Sequence, residues 1–330
     1  MSEPHTPETS RKHEVDAPPA SPPSGKRLRT EQHKDDIKRA AIARSYDLPD
    51  QVSYRVLAES FADLKQYLIP ESSSRSTIDF KNPDAVRVLN QAILAVHFDL
   101  CVILPPGNLC PTVANRLNYI KWLSTNVLLD LPPGPLSGLD VGTGASCIYP
   151  LLGVRYLPQS SFVGTDISKE SVSVAIQNVT LSELHDRIDV FLNTDRLTTL
   201  PLNAPGFPLP KEDADGSVFT FSMCNPPFYE DNDERQRLKQ MKHGMPSLST
   251  TAKDGELFTQ GGEEAFLTGM VDESVVLAKR IKWYTTMVGK KGTIALLKAK
   301  LPPEEAKSWF VAAMLELGID AVPVEAETTP

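Results

Sequence analysis

Beyond about residue 115, short runs of apolar side chains alternate with longer segments in which apolar residues recur every three or four positions. The apolar runs predict five buried β-strands, at 137–141, 161–165, 188–192, 217–224 and 283–288. Segments with helical periodicity lie between most of these strands. Because parallel neighbours need a crossover connection, strands that alternate with helices are typical of a doubly wound parallel sheet. The pattern therefore predicts an α/β fold.

Two amphipathic segments precede this alternation. The first is predicted as one helix over about 54–68, from apolar side chains at helical spacing: Leu57, Phe61, Leu64 and Leu68. A short strand is predicted at 76–80. After it, Asn82 and Pro83 are a typical N-cap and first helical residue, so a second helix is expected from there to about Ala95.

The composition divides the chain into three parts. Residues 1–32 contain many Pro, Ser, Thr and charged side chains and few apolar ones, which is typical of a disordered tail. A small helical module is expected over 33–110 and the main domain over 111–330. Within the main domain, the polar stretch 230–262 is predicted to be a long loop, and such loops in a compact domain are usually functional or disordered.

A Gly-x-Gly turn follows the first predicted strand of the main domain, in the segment Asp140-Val141-Gly142-Thr143-Gly144-Ala145-Ser146. The two glycines allow the backbone to approach a nucleotide-like ligand closely. Cys147 stands where a dinucleotide-binding turn would have its third glycine, and no Gly-Lys-Ser/Thr follows, so a pyrophosphate site and a P-loop are disfavoured. A purely structural turn remains the alternative.

An acidic residue follows the next predicted strand. Asp166 lies 26 positions after Asp140, a spacing that suits a carboxylate accepting hydrogen bonds from both hydroxyls of a ribose. The alternative is that Asp166 only caps the helix that begins near Ser168, and the two roles are compatible.

The segment Asn225-Pro226-Pro227-Phe228 directly follows the fourth predicted strand. Two prolines cannot continue a buried strand, because they donate no ladder hydrogen bond and fix φ. They stiffen a turn that presents the Asn225 amide oxygen and the Pro226 carbonyl as fixed acceptors. Two rigid acceptors can orient a planar amine toward an incoming methyl group, and Phe228 offers a flat face for stacking an unstacked base.

Between residues 276 and 300 the chain contains seven basic side chains and no acidic one, although its formal net charge is −8. A solvated helix face is one explanation. Beside the ligand edge of the sheet, the same run could contact the phosphates of a nucleic acid. The candidate contacts are Arg280, Lys282, Lys290 and Lys291.

The composition disfavours several other functional classes. No apolar run approaches the ~18 residues that cross a bilayer, so no membrane segment is predicted. The four cysteines have no C-x-x-C spacing and the six histidines form no H-x-x-x-H pair, so neither a disulfide framework nor a metal site is expected. The N-terminus has no secretory pattern, which predicts a nuclear or cytosolic protein.

Three segments stand in an order that resembles a known family: 115–122, which reads NRLNYIKW, 138–150, which reads GLDVGTGASCIYP, and the Asn-Pro-Pro-Phe segment at 225–228. They resemble the eukaryotic adenine methyltransferases that modify U6 small nuclear RNA, whose bacterial relatives act on large-subunit ribosomal RNA. The resemblance runs from about residue 54 to 325. It implies a Rossmann-like class I methyltransferase sheet with an N-terminal helical RNA-binding module. It also implies S-adenosyl-L-methionine as cofactor and structured RNA as partner, with a monomer and a nuclear location expected.

The resemblance also assigns roles to single residues. It implies that Arg116 holds the carboxylate of the cofactor's methionine moiety and that the turn residues from Asp140 onward line the cofactor: Gly142, Gly144 and Ser146. Asp166 stands where the family usually has Glu, and both carboxylates accept the same hydrogen bonds. Lys81 matches a family position in the RNA groove.

The chain departs from the family pattern at its C-terminal end. The family continues with a Gln-Gly-x-Thr-x-Arg-Trp segment that forms the last strand of the sheet, and this sequence does not contain it. The final strand of the sheet is therefore expected to be missing. Two alternatives to RNA adenine methylation stay open: a catalytically impaired RNA-binding protein of the same fold, and a methyltransferase that acts on protein glutamine or DNA adenine.

Overall fold

The structure is a computed structural model that describes most of the chain from residue 46 onward. The described residues are 46–49, 52–72, 75–129, 131–227 and 259–301, together with the backbone of 309–313 and 322–323. The predicted tail at 1–32 and most of the predicted loop at 230–262 lie outside these residues.

The first helix, α1 (Tyr54–Ser60), is shorter than the helix predicted over 54–68, and that prediction is wrong in its second half. Phe61 is extended, with φ −127° and ψ 90°, and a separate 3₁₀ helix follows over Ala62–Tyr67. The apolar spacing identified two core positions correctly, because Leu57 and Leu64 are both buried. It did not indicate that the helix ends between them.

A two-stranded antiparallel pair and a long helix complete the N-terminal region. β1 (Ile69–Pro70) pairs with β2 (Ser76–Thr77), so the strand predicted at 76–80 is confirmed only in its first two residues. Helix α2 (Pro83–Phe98) begins as predicted and extends three residues beyond Ala95. The side chain of Asn82 caps it by accepting hydrogen bonds from the next two backbone N–H groups after Pro83, at 3.0 and 3.3 Å.

The main sheet has seven strands, and six of them run in parallel. Five of the parallel strands stand in the order β5-β4-β3-β6-β7. They match the five predicted strands: β3 (Leu136–Val141), β4 (Ser160–Asp166), β5 (Ile188–Leu192), β6 (Phe219–Cys224) and β7 (Ile281–Val288). Two further strands were not predicted. β8 (Trp309–Ala313) pairs in parallel with β7, and β9 (Val322–Pro323) pairs antiparallel with β8.

Five helices cover the two faces of this sheet among the described residues. One face carries α3 (Val113–Asn126), α4 (Ile148–Tyr156) and α5 (Lys169–Leu181), and the other carries α6 (Gly262–Leu277) and α7 (Lys291–Lys300). The central strands contribute side chains to two separate apolar clusters, one on each face. A doubly wound α/β sheet, as the sequence predicted, is confirmed.

The N-terminal helices are joined to the main core rather than separate from it. The first half of α2 packs with α1 in a small cluster of its own. The second half of α2 and the segment after it contribute to the same cluster as α3, α4 and α5, through Leu94, Phe98, Leu100, Val102 and Leu104. The described residues, from 46 onward, belong to one compact unit. The predicted division near residue 110 stays a prediction.

Candidate functional site

The chain order changes direction at the centre of the sheet, between β3 and β6. Strand β3 has β4 on one side and β6 on the other, and all three run in parallel. Ligands of open α/β sheets bind outside the carboxyl ends of the strands at such a switch point. The register pairs Val141 with both Thr165 and Cys224. The residues that follow these three are Gly142, Asp166 and Asn225, and they stand level on neighbouring strands about 4.8 Å apart.

The turn after β3 has the conformation that its glycines predicted. Gly142 and Gly144 have φ values of 73° and 64°, which side chains rarely adopt. The N–H groups of Gly142 and Thr143 both donate to the carbonyl of Thr165, at 2.9 and 2.8 Å, which fastens the turn to β4. A Cβ atom on Gly142 would meet no atom within 4 Å. The start of the turn is therefore tied to β4, and the turn has open space in front of it.

Asp166, the last residue of β4, holds this turn from the other side. Its Oδ2 accepts a hydrogen bond from Gly144 N–H at 2.9 Å, and its Oδ1 accepts one from Ser168 N–H at 2.8 Å. The N-cap of α5 is Ser168 itself, so the alternative that Asp166 is only a helix cap loses its support. Burial raises the pKa of Asp166, and these backbone donors counter that shift. Each oxygen keeps lone-pair capacity for a ligand hydroxyl.

Asp140, which the sequence placed among the cofactor-binding residues, does not face the open edge. Its side chain is fully buried and neither carboxylate oxygen has a hydrogen-bond partner in the structure. Burial raises the pKa of this carboxyl to about 7, opposed mainly by the nearby Thr143 hydroxyl and also by Arg116. A buried acidic group without regular partners next to a candidate ligand site is typical of a functional position.

Arg116 reaches the same region from α3. It is buried, and its guanidinium carbon lies 5.8 Å from the centre of the Tyr149 ring. Helix α3 is fixed to the sheet by a hydroxyl relay, in which Tyr119 bonds Thr285 at 2.8 Å and Thr285 donates to the carbonyl of Ser222 at 2.7 Å. The cation is therefore held on a rigid element near the buried carboxylate of Asp140.

Asn225 follows β6 directly, in the position level with the glycine turn. Its Oδ1 atom is buried and has no hydrogen-bond partner among the described residues. Pro226 is buried and Pro227 half-buried. Phe228 lies outside the described residues, so its stacking role stays a prediction. The arrangement leaves an amide oxygen beside the turn that could accept a hydrogen bond from a ligand amine.

The basic candidates separate to opposite ends of β7. Arg280 and Lys282 lie where β7 begins, at the edge opposite the glycine turn, so the condition of standing beside the ligand edge is not met for them. Their contact with RNA stays a prediction. Lys282 also forms ion pairs with two acidic residues outside the basic run, Asp213 at 2.8 Å and Asp215 at 3.2 Å. Lys290 follows the carboxyl end of β7, at the expected edge.

Two other residues that were predicted to contact RNA lie within the described part of the chain. Lys291 is the first residue of α7, next to Lys290, and only its backbone is described. Lys81 is exposed in the turn before α2, where its N–H donates to Asp79 Oδ1 at 2.8 Å. Neither position tests a contact with RNA, so both roles stay predictions.

The sequence analysis missed two buried polar residues at this edge. Glu263, in the first turn of α6, is fully buried and accepts hydrogen bonds from the turn after β7. Asn178, on α5, is fully buried and donates to the backbone of the glycine turn. The Gly-Gly-Glu sequence at 261–263 could have indicated the first, but nothing in a single sequence distinguishes Asn178 from a surface amide of a helix.

Within the described residues, no group of three or more His, Cys, Asp or Glu side chains could hold a metal ion. The same residues contain no helix that is long and apolar enough to cross a membrane.

A family model described as RNA methyltransferase matches residues 39–316. The chain belongs to this RNA methyltransferase family. The family resemblance expected from the three sequence segments is therefore confirmed.

Among curated proteins, the chain is 38% identical over 250 residues to a U6 small nuclear RNA (adenine-(43)-N(6))-methyltransferase of Schizosaccharomyces pombe. That match covers 74% of this chain and 60% of the yeast protein. It is 35% identical over 262 residues to the RNA N(6)-adenosine-methyltransferase METTL16 of Homo sapiens, covering 78% of this chain and 45% of the human protein.

Two solved structures of family members support the fold. The chain is similar to the human METTL16 catalytic domain in complex with MAT2A 3′UTR hairpin 6, with a TM-score of 0.65 and 32% identity over 76% of this chain and 83% of that one. It is also similar to the N-terminal domain of human METTL16 in complex with SAH, with a TM-score of 0.60 and 31% identity over 78% of this chain and 87% of that one. The chain spans about half the length of the curated relatives it matches.

Proposed function

We propose that this protein is an S-adenosyl-L-methionine-dependent RNA methyltransferase that modifies the exocyclic amine of an adenine in structured RNA. The observation that carries the proposal is the position of Asn225. Its buried, unpartnered amide oxygen stands level with an open glycine turn on the neighbouring strand. That geometry brings an acceptor for an amine next to a site for a nucleoside. The relatives named for adenine N(6)-methylation, one of them solved with an RNA hairpin, support the same assignment.

The side chains around the turn fit the chemistry of S-adenosyl-L-methionine. Asp166 would accept from the ribose hydroxyls, and Arg116 would pair with the methionine carboxylate. Gly142, Gly144 and Ser146 would line the adenosine side of the turn, with Asp140 buried behind them. The SAH complex of the human relative supports this choice of cofactor.

The protein's contribution to the reaction would be positioning. S-adenosyl-L-methionine, when bound, supplies an electrophilic methyl group that the adenine amine can attack directly. Asn225 Oδ1 and the Pro226 carbonyl would accept the two hydrogens of that amine, which aims its lone pair, and Phe228 would stack on the base. No side chain needs to remove a proton before the attack. The diproline turn keeps both acceptors rigid, which is what a near-attack geometry requires.

Structured RNA is the favoured substrate over two alternatives. U6 small nuclear RNA is the target in the names of several relatives, and a nuclear location and a monomer are proposed with it. A methyltransferase of protein glutamine or DNA adenine would use the same two acceptors, and would be recognised by labelled methyl groups on protein or DNA. A catalytically impaired RNA-binding protein would bind RNA without binding SAH.

The first prediction concerns Asn225→Ala in the full chain. Methyl transfer from tritiated S-adenosyl-L-methionine to a U6 small nuclear RNA transcript should fall at least about a hundredfold, because the amine loses a fixed acceptor. The dissociation constant of SAH, measured by isothermal titration calorimetry, should stay within about threefold of the unsubstituted chain.

The matched control is Asn126→Ala, which removes an exposed amide from the end of α3. Its methyl transfer should equal that of the unsubstituted chain. Full turnover by Asn225→Ala would contradict the proposed role of this residue. Failure of the unsubstituted chain to bind SAH would contradict the proposed function as a whole.

A further inference from the structure

The segment at 99–104 connects α2 to the part of the chain that leads into α3. Alternate residues of this extended segment are buried: Leu100, Val102 and Leu104. It lies in no sheet, so a strand ladder does not satisfy its backbone groups. Buried backbone groups need partners. The N–H of Leu100 donates to the carbonyl of Leu94 at 3.1 Å, and side chains supply further partners along the segment.

Four side chains from three helices and their ends hold the backbone of this segment. Gln91 of α2 donates to the Val102 carbonyl at 2.8 Å, and Arg155 of α4 donates to the Asp99 carbonyl at 2.7 Å. Ser182, just after α5, donates to the Cys101 carbonyl at 3.0 Å. The fourth is Asn178 of α5, which contacts Ile103.

Asn178 differs from the other three because it also contacts the glycine turn. Its Oδ1 accepts from Ile103 N–H at 2.6 Å, and its Nδ2 donates to the Ile103 carbonyl at 3.0 Å. The same Nδ2 donates to the Ala145 carbonyl, also at 3.0 Å. Both amide hydrogens are therefore used, one on each side. The side chain is fully buried, so water cannot replace these bonds.

Ala145 follows Gly144, whose N–H donates to Asp166. A short path of hydrogen bonds therefore runs from the proposed ribose carboxylate through the glycine turn and Asn178 to Ile103. Segment 99–104 in turn continues α2, which begins two residues after Lys81. The path therefore joins the proposed cofactor turn to the segment that follows the C-terminal end of α2.

We propose that Asn178 is a positioning residue that couples occupancy of the cofactor turn to the 99–104 segment. This inference rests on the proposed function, because it takes the cofactor to be the ligand of the turn. A ligand that restricts the glycine turn also restricts the Ala145 carbonyl, and the fully bonded amide transmits that restriction to Ile103. The coupling is reciprocal by linkage, so a better ordered 99–104 segment strengthens cofactor binding.

Two substitutions separate this role from general support of the fold. Asn178→Ser keeps a small polar side chain that cannot reach Ile103 and Ala145 at once. Asn178→Asp keeps the acceptor for Ile103 N–H but places a second oxygen against two carbonyls. Ser182→Ala is the matched control, because it releases the same segment at Cys101 without touching the turn.

The first readout is the dissociation constant of SAH by isothermal titration calorimetry. It should rise about tenfold in Asn178→Asp and about threefold in Asn178→Ser, and stay within about twofold in Ser182→Ala. With saturating S-adenosyl-L-methionine, kcat of Asn178→Ser should stay within about twofold, because the amine acceptors are unchanged. Equal weakening of SAH binding in Ser182→Ala and Asn178→Ser would overturn the proposal, since it would indicate general loosening.

The second readout is amide hydrogen exchange of a peptide that covers 99–104, with and without SAH. SAH should slow exchange in the unsubstituted chain and leave it unchanged in Asn178→Ser at saturating SAH. If SAH binds the unsubstituted chain without slowing exchange there, or slows it equally in Asn178→Ser, the coupling is wrong and the proposed function stands. If SAH does not bind the unsubstituted chain, both are wrong.

Discussion

Buried polar atoms without partners concentrate at the carboxyl edge of the sheet. The set includes both carboxylate oxygens of Asp140, the Thr143 hydroxyl and the Asn225 amide oxygen. Each such atom costs free energy, commonly about 1–3 kcal/mol, unless a partner arrives. Asp140 lies near the end of β3, Thr143 lies in the glycine turn and Asn225 directly follows β6, so these atoms cluster around the candidate ligand site.

The second prediction tests the protonation state of the Asp140 carboxyl in the folded protein, by the substitution Asp140→Asn. The folded-state pKa of about 7 lies above the ordinary value of 3.8, so the contribution of the carboxyl to stability is complete below pH ~4 and is lost as pH rises through about 7. Asn does not titrate. The free energy of unfolding of Asp140→Asn relative to the unsubstituted chain should therefore increase by about 2–3 kcal/mol between pH 5 and pH 8.

Urea unfolding at both pH values measures this difference. The control is Ser222→Ala, which removes another buried, unpartnered polar atom that has no charge. Its effect on the free energy of unfolding should be the same at both pH values. A constant offset for Asp140→Asn as well would mean that the carboxyl ionises in the folded protein as it does in the unfolded chain.

At the scale of elements, the five central strands and α2 were predictable because their signals are local. Each strand is a short apolar run between polar segments, and α2 carries its own cap at Asn82. The break at Phe61 was not predictable, since apolar spacing continues through it. β8 was missed because Trp309–Ala313 is an apolar run that also suits a helix, and β9 because two residues ending in Pro323 carry no period.

Part of the candidate site was predictable because its sequence signals are also local. The glycine turn, Asp166 and Asn225 follow strands directly, so chain position alone brings them to one edge. Arg116 came only from the family resemblance. Lys282 was wrongly grouped with Lys290, because a basic run along a strand looks uniform in sequence while its two ends lie on opposite edges of the sheet.

The third prediction concerns the junction of α6 and α7. Glu263 accepts hydrogen bonds from Gly289 N–H at 2.6 Å, Lys290 N–H at 3.1 Å and the Thr293 hydroxyl at 2.8 Å. Glu263→Gln replaces one acceptor with an amide that also donates. The free energy of unfolding in urea should fall by about 1–3 kcal/mol.

The control is Glu264→Gln, at the exposed neighbouring position, which should change the free energy of unfolding by less than about 0.5 kcal/mol. Equal effects of the two would show that the buried bonds contribute nothing.

At the scale of the whole molecule, the basic side chains of the run at 276–300 are divided between the two edges of the sheet. The chain has a formal charge of −8, so contact with RNA requires a local basic surface. Lys282 pairs with Asp213 and Asp215, and Lys300 pairs with Asp272 at 2.8 Å. The run that looked free of acids is thus partly neutralised by residues from elsewhere. Lys290, at the carboxyl edge, is the better placed phosphate contact.

The fourth prediction therefore contrasts the two ends of β7. Each phosphate contact adds about one to the slope of log affinity against log salt, because binding releases a counterion. Lys290→Ala should weaken binding of a U6 small nuclear RNA transcript and reduce that slope by about one, measured by fluorescence anisotropy at several salt concentrations. Lys282→Ala should leave the slope unchanged, since this lysine lies at the opposite edge. If Lys282→Ala reduced the salt slope more than Lys290→Ala does, the RNA would lie at the amino edge of the sheet, away from Asn225. The proposed site could not then reach its substrate.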